Sequence, residues 1–260
     1  MNLSISARTD IGQKRITNED NFSVNDYFML PPAKRKYAIT TELPEAVCSV
    51  CDGMGGESYG EYASLAGVKV FAESYAALLD CSGSERAKTA DRCIQSANAD
   101  ICAEMQRKKV RIGSTAVLAC IQENRADIFN IGDSRAYLLR NGTLRQLSKD
   151  HTVVQQKIDF GAMTQEQAAK SPERNQLTQN LGIFESEMLI EAHHARAAIE
   201  AGDILLLCSD GLTDMVSNDT IAGICKESPK PALISSVLID KALENGGRDN
   251  VTVVVICVGE

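Results

Sequence analysis

Several aspartates in this chain stand where a β-rich run begins or ends. Asp52 ends Val47-Cys48-Ser49-Val50-Cys51, Asp133 ends Ile128-Phe129-Asn130-Ile131-Gly132, and Asp210 ends Leu205-Leu206-Leu207-Cys208-Ser209. Asp20 opens Asn21-Phe22-Ser23-Val24, and Asp249 opens Asn250-Val251-Thr252-Val253. In antiparallel pairs the end of one strand lies beside the start of its neighbour. These five carboxylates can therefore share one rim, with Glu19 as a sixth. Unpaired, they would repel one another and raise their own pKa values. Divalent cations relieve that repulsion, and an all-oxygen donor set suits the hard ions Mg²⁺ or Mn²⁺ over Zn²⁺. Arg15, five residues before Asp20, carries a guanidinium able to clamp a phosphate with two hydrogen bonds. Gly53, Gly55 and Gly56 let backbone approach a ligand closely. Each feature alone has a plainer reading: Asp-Gly after a strand is an ordinary turn, and a lone arginine an ordinary surface residue.

The elements that must gather these groups follow from the hydropathy pattern. Leu3, Ile5 and Ala7 alternate with Ser4, Ser6 and Arg8, which predicts a half-buried strand. A polar turn over residues 10–20 leads to a second strand over 21–30. An exposed basic loop, Pro31-Pro32-Ala33-Lys34-Arg35-Lys36, precedes a strand that runs to Cys51 and stops at Asp52-Gly53-Met54-Gly55-Gly56. Ala63, Ala66, Gly67, Val70 and Phe71 recur at helical spacing, as do Ile94, Ala97, Ile101 and Met105. Three β-rich runs follow, over 114–122, 126–131 and 135–139, and Asn141-Gly142 is a hairpin signal. Short helices are expected over 152–160 and 164–170, a strand over Ile204–Cys208, helices over 220–227 and 230–245, and a last strand over Val251–Val258. Strands in adjacent runs and helices in pairs suit antiparallel sheets covered by helices, an α+β fold.

The 260 residues carry 44% hydrophobic and 24% charged side chains, ordinary for a globular protein. One domain over residues 1–260 is expected, with a polar excursion at about 152–187. The balance of 27 − 35 = −8 argues against nucleic acid or an anionic membrane as the main partner. No apolar stretch approaches the roughly 20 residues a bilayer span needs. The first residues lack the basic-then-apolar pattern of a secretory leader, so a cytoplasmic location is expected. The nine cysteines are odd in number and several sit inside apolar runs, which suits reduced, buried thiols. Cys48 and Cys51 are three apart on a strand and point to opposite faces. His193-His194 has no third ligand nearby, and Ser209 lacks a Gly-x-Ser-x-Gly setting. Lys34-Arg35-Lys36 is too short for a nucleic-acid site.

Six motifs occur in order: Arg15-Ile-Thr-Asn18-Glu19-Asp20, Cys51-Asp52-Gly53-Met54-Gly55-Gly56, Gly113-Ser114-Thr115-Ala116, Gly132-Asp133-Ser134-Arg135, Ser209-Asp210-Gly211-Leu212-Thr213-Asp214 and Gly247-Arg248-Asp249-Asn250. From about Ser6 to Val258 the chain resembles the metal-dependent (type-2C, PPM) serine/threonine protein phosphatases in their short bacterial form. The resemblance implies an α-β-β-α sandwich of two antiparallel sheets flanked by pairs of helices, with a binuclear Mn²⁺ or Mg²⁺ centre at one end. By motif position it implies that Asp52 bridges the two ions and that the Gly53 carbonyl binds one of them. Asp210 and Asp249 complete the pair, and Glu19 and Asp20 bind directly or through water. Asp133 matches a residue that holds a third ion with Asp210, with Asp214 a further candidate, and Arg15 grips the substrate phosphate.

The implied reaction is hydrolysis of phosphoserine and phosphothreonine by water activated between two ions, with no phosphoenzyme. No Cys-x₅-Arg phosphate loop suggests another route. The segment 152–187 resembles the flap of bacterial members, and His151 a structural position of the family. Two departures stand out. Met54 replaces a histidine that in animal members is proposed to protonate the leaving oxygen, which leaves water as the acid. Gln179 stands where bacterial relatives commonly carry arginine. The implied partners are phosphoproteins, either substrates of a Ser/Thr kinase or the kinase itself, met by a monomer. Two other readings share these residues: a noncatalytic phosphoprotein-binding member of the fold, and a metal-dependent hydrolase of a small phosphate ester. A deep pocket would favour the small ester and a shallow open site a protein.

Overall fold

A computed structural model describes residues 1–30, 36–55 and 59–260. Most of the expected basic loop, residues 31–35, and Gly56 lie outside the described residues. The chain opens with β1 (Leu3–Asp10), β2 (Asp20–Val24), β3 (Tyr27–Phe28), β4 (Lys36–Leu43) and β5 (Ala46–Gly55). Three helices follow, α1 (Gly60–Glu73), α2 (Tyr75–Asp80) and α3 (Gly83–Lys108). Next come β6 (Ile112–Ser114), β7 (Ala116–Gln122), β8 (Arg125–Ile131), β9 (Arg135–Arg140) and β10 (Thr143–Gln146). The polar excursion holds α4 (Val153–Asp159) and α5 (Gln165–Ala169). The last third holds β11 (His193–Ala198), β12 (Ile204–Cys208), α6 (Asp210–Thr213), α7 (Asn218–Lys226), α8 (Pro231–Glu244) and β13 (Val251–Val258).

Two antiparallel sheets form, ordered β10-β9-β12-β13-β1-β4 and β11-β8-β7-β5-β2-β3, with β6 paired to the far end of β5. Their facing sides bury Leu3, Ile5, Phe22, Val50, Val117 and Val254. One outer face packs Val47, Leu118 and Phe129 against Phe71, Ile94 and Ile101 of α1 and α3. The other packs Val253 and Val255 against Ile221 of α7 and Ile234 and Leu238 of α8. β13 is covered on both faces, which is why it reads as an almost unbroken apolar run. The α-β-β-α sandwich expected from the sequence is the architecture present.

Local differences have local causes. The strand expected over 21–30 is the hairpin β2–β3. It turns at Asn25, whose φ is +49°, and whose side-chain oxygen accepts the Val47 N–H at 2.8 Å. The strand expected to run to Cys51 is two strands, and β5 passes through Asp52 to Gly55 because β6 pairs with Gly53–Gly55. β1 is not half-buried: α8 covers its second face, and the Ser6 and Ser235 hydroxyls share a hydrogen bond of 2.9 Å. The helical region is three helices rather than two. Asn141 and Gly142 take φ of +49° and +76°, the turn a two-residue hairpin demands. Thr152 and Thr164 cap α4 and α5 with their hydroxyls.

Candidate metal centre

Both sheets deliver aspartates to the same end of the sandwich. In one, β2 and β5 run antiparallel with Asp20 directly opposite Asp52. In the other, β12 and β13 are neighbours; Asp210 begins α6 just past β12, and Asp249 lies just before β13. Asp133 follows β8 after Gly132, whose φ of +90° turns the chain. The Asp52 carboxyl feels the charges of Asp20, Asp210, Asp133 and Asp249 together, and the Asp210 carboxyl in turn feels its neighbours Asp249 and Asp214. The rim expected from strand ends is therefore assembled.

Its electrostatics follow from burial first and mutual repulsion second. Burial pushes Asp20 up to about 7, against the lowering effect of the Ser209 and Thr252 hydroxyls. Asp210 is pushed up to about 6 by burial and by Asp249 and Asp214, and Asp133 to about 8 by burial and Asp210. Asp52 is held well above the usual carboxylate range for the same reasons. Buried carboxyls whose charges oppose one another's ionisation are relieved by a proton or by a cation. Asp20 is 1% exposed, yet its Oδ1, like Oδ1 of Asp210, has no hydrogen-bond partner among the described residues. Buried carboxylate oxygens left unpaired are costly. An all-oxygen set with unpaired, converging lone pairs fits a hard divalent cation. Among the described residues no three acidic, histidine or cysteine groups close into a ready cage.

The surrounding contacts fix these groups in place. Ser209 Oγ donates to Asp20 Oδ2 at 2.7 Å and accepts the Thr252 N–H at 3.0 Å. Thr115 Oγ1 accepts the Asp52 N–H at 3.0 Å, and Ser114 Oγ donates to the Asp52 carbonyl at 3.0 Å. Gly53 N–H donates to the Glu19 carbonyl at 3.1 Å. Glu19 Oε1 accepts the Gly60 N–H at 3.1 Å, at the positive end of α1. Asn250 Oδ1 accepts the Glu19 N–H at 2.8 Å, while its amide donates to the carbonyls of Ile11 and Thr17 at 2.9 Å each. Arg15 Nη2 donates to Asp249 Oδ2 at 2.7 Å from a side chain that remains 50% exposed.

Asp214 faces the excursion instead: its Oδ2 accepts from Asn175 Nδ2 at 3.1 Å and lies 3.6 Å from Arg174. Between α4, α5 and the rim lies a cavity of about 350 Å³, bordered by Asp133, Asp210, Asp214, Gln155, Ile158 and Arg174. Glu61 is an acidic neighbour of Glu19 that sequence reading did not single out. Its Oε2 is buried without a partner among the described residues. An acid directly after Gly60 at a helix start was the available signal. Ser209, set aside as a nucleophile, serves Asp20. His151 buttresses Gly132 through a backbone bond of 2.9 Å. Cys48 and Cys51 fall into different core layers, as their spacing predicts, and burial pushes the Cys48 thiol up to about 12.

The family model of protein phosphatase 2C matches residues 10–157 and 191–251. The chain is 34% identical over 252 residues to the serine/threonine phosphatase Stp of Listeria welshimeri, covering 96% of this chain and 93% of that protein. It superposes on the S. agalactiae serine/threonine phosphatase with a TM-score of 0.85 at 30% identity, covering 98% of this chain and 99% of that one. The catalytic domain of the phosphatase PstP, solved with two manganese ions, superposes with a TM-score of 0.78 at 33% identity over 100% of both chains. Similarity of that extent, on a rim of carboxylates delivered by both sheets, means that the chain belongs to the protein phosphatase 2C family.

Proposed function

We propose that this protein is a Mn²⁺- or Mg²⁺-dependent phosphatase of phosphoserine and phosphothreonine in proteins. The observation that carries it is the convergence of Asp20, Asp52, Asp133, Asp210 and Asp249 beside the half-exposed Arg15. Asp52, Asp210, Asp249, Asp20, Glu19 and the Gly53 carbonyl would hold two ions, and Asp133 with Asp210 a third. When bound, such ions activate water and neutralise charge on the phosphoryl oxygens. Ser209 favours the ionised form of Asp20 through its hydroxyl. Arg15 turns its free guanidinium donors toward the phosphate while Asp249 orients it. Met54 carries no proton to give, so the leaving oxygen takes one from solvent. The substrates are those of a Ser/Thr kinase, or the kinase itself. The chain acts as a cytoplasmic monomer built as one phosphatase domain over residues 1–260, with 152–187 as its flap. Among the described residues no helix is long and apolar enough to cross a membrane.

Hydrolysis of p-nitrophenyl phosphate and of a phosphothreonine peptide at pH 7.5–8, titrated with Mn²⁺ and then with chelator, tests the reading. Turnover should appear with the ion and vanish on chelation. Folded protein that binds Mn²⁺ and turns over neither substrate would overturn it in favour of phosphoprotein binding. Arg15→Ala should raise KM about tenfold with a smaller change in kcat, because the guanidinium holds phosphate before and during reaction. An unchanged KM removes Arg15 from the site.

A further inference from the structure

Ile16 is 86% exposed and directly follows the arginine assigned to the substrate phosphate. Single exposed apolar side chains are common and by themselves mean little. What distinguishes Ile16 is the rigidity of its support. Upstream, the Gly12 N–H donates to Asp10 Oδ1 at 2.9 Å. The Gln13 N–H donates to the Gly247 carbonyl at 2.8 Å, and its side-chain amide to the Leu243 carbonyl at 2.9 Å. Arg15 is tied to Asp249. Downstream, Asn250 holds the Thr17 carbonyl, and Asn18 Nδ2 donates to Thr9 Oγ1 at 2.9 Å.

The segment is thus pinned on both sides of Ile16 to α8, to the loop before β13 and to β1. A β-branched side chain, already stiff about χ1, is held out into water by fixed backbone. It contributes nothing to the core there, and little ordering entropy would be lost when a partner covers it. A peptide whose phosphate lies against Arg15 spaces its adjoining residues about 3.5 Å per residue from the phosphate, and Ile16 is the exposed apolar residue next along the chain from Arg15.

We infer that Ile16 is a specificity-determining residue: an apolar lip of the substrate cleft that favours phosphopeptides with an apolar side chain beside the phosphoresidue. This rests on the phosphatase reading above. The test uses the full-length, Mn²⁺-loaded protein, Ile16→Ser and Ile16→Asp. The substrates are two phosphothreonine peptides, identical except for Leu or Gly on both sides of the phosphoresidue, and p-nitrophenyl phosphate. The wild type should favour the Leu peptide in kcat/KM by roughly tenfold, the discrimination a small apolar contact supplies. Ile16→Ser should remove most of that preference through KM, leaving the Gly peptide and p-nitrophenyl phosphate unchanged. Ile16→Asp should do so more completely. Equal turnover of the two peptides by the wild type, or a preference that survives both substitutions, overturns the proposal. Failure of the wild type on all three substrates overturns the phosphatase reading and the proposal with it.

Discussion

Asp210→Asn should lose about a thousandfold or more in Mn²⁺-dependent turnover, yet its metal-free form should unfold at no lower temperature than the wild type. The retained stability follows from electrostatics. Burial, Asp249 and Asp214 hold the Asp210 carboxyl at about 6, against about 3.9 in an unfolded chain. Between those values the folded state keeps a proton that the unfolded state has lost. Stability therefore falls as pH rises through that window, and above it the full penalty, about 3 kcal/mol at most, is present. Asparagine keeps the shape and removes the charge, so the metal-free protein gains or holds its Tm at pH 8. The cation moves the opposite way. In the wild type it must displace protons from the rim, so the rise in Tm on adding Mn²⁺ should be larger at pH 8 than at pH 5. At a hundred times Kd the stabilisation is about 2.7 kcal/mol, or roughly 5–10 °C for a chain of this size. Asp210→Asn should show a small part of that rise. Thermal melts with Mn²⁺ and with chelator at both pH values, beside turnover of p-nitrophenyl phosphate, give all of these quantities. Near-normal activity together with a normal Mn²⁺ shift would remove Asp210 from the ligand set.

The aspartates could be picked out in the sequence because apolar runs mark strand ends, and Asp52, Asp133 and Asp210 each close one. Which aspartate faces which could not be read there. The pairing of Asp20 with Asp52 depends on the register of β2 against β5, and a one-residue slip would turn every side chain over. β5 overruns Asp52 because its partner β6 is three residues long, too short to leave a periodic trace. The turn at Asn25 was hidden because Phe28, Met29 and Leu30 prolong the apolar run beyond it. Asn250 and Ser209 act across 231 and 189 residues of chain. Their roles are contacts between segments, and no local pattern encodes them. Glu61 is the same case: its setting depends on Glu19, which belongs to another strand's entry. The motifs located the chemistry, while the polar side chains that orient it emerge only when the two sheets are brought together.

Gly53→Ala should destabilise the protein by about 3 kcal/mol or more, lowering Tm by about 10 °C, and should abolish Mn²⁺ binding and turnover together. A Cβ built on Gly53 would fall inside the contact radius of the Gly60 carbonyl oxygen and lie 2.7 Å from the Glu19 carbonyl oxygen. Both obstacles are backbone, so no side chain can swing aside. Nor can β5 retreat. The Asp52 carbonyl accepts the Thr115 N–H at 2.9 Å, Gly53 pairs with Ser114 of β6, and the Gly53 N–H is bonded to Glu19. Relief requires moving either the start of α1 or the entry to β2, and those segments place Glu19 and Asp20. The substitution leaves the Gly53 carbonyl chemically unaltered, so a lost site reports displaced backbone alone. Gly223→Ala is the matched control. Gly223 sits within α7 with nothing within 4 Å of a built Cβ, so the same methyl group should raise stability by roughly 0.5–1 kcal/mol through helix propensity and leave activity untouched. Equal melting temperatures for Gly53→Ala and the wild type would mean that α1 and β5 can separate without cost. The close approach of Gly53, Gly60 and Glu19 would then have no part in holding the rim together.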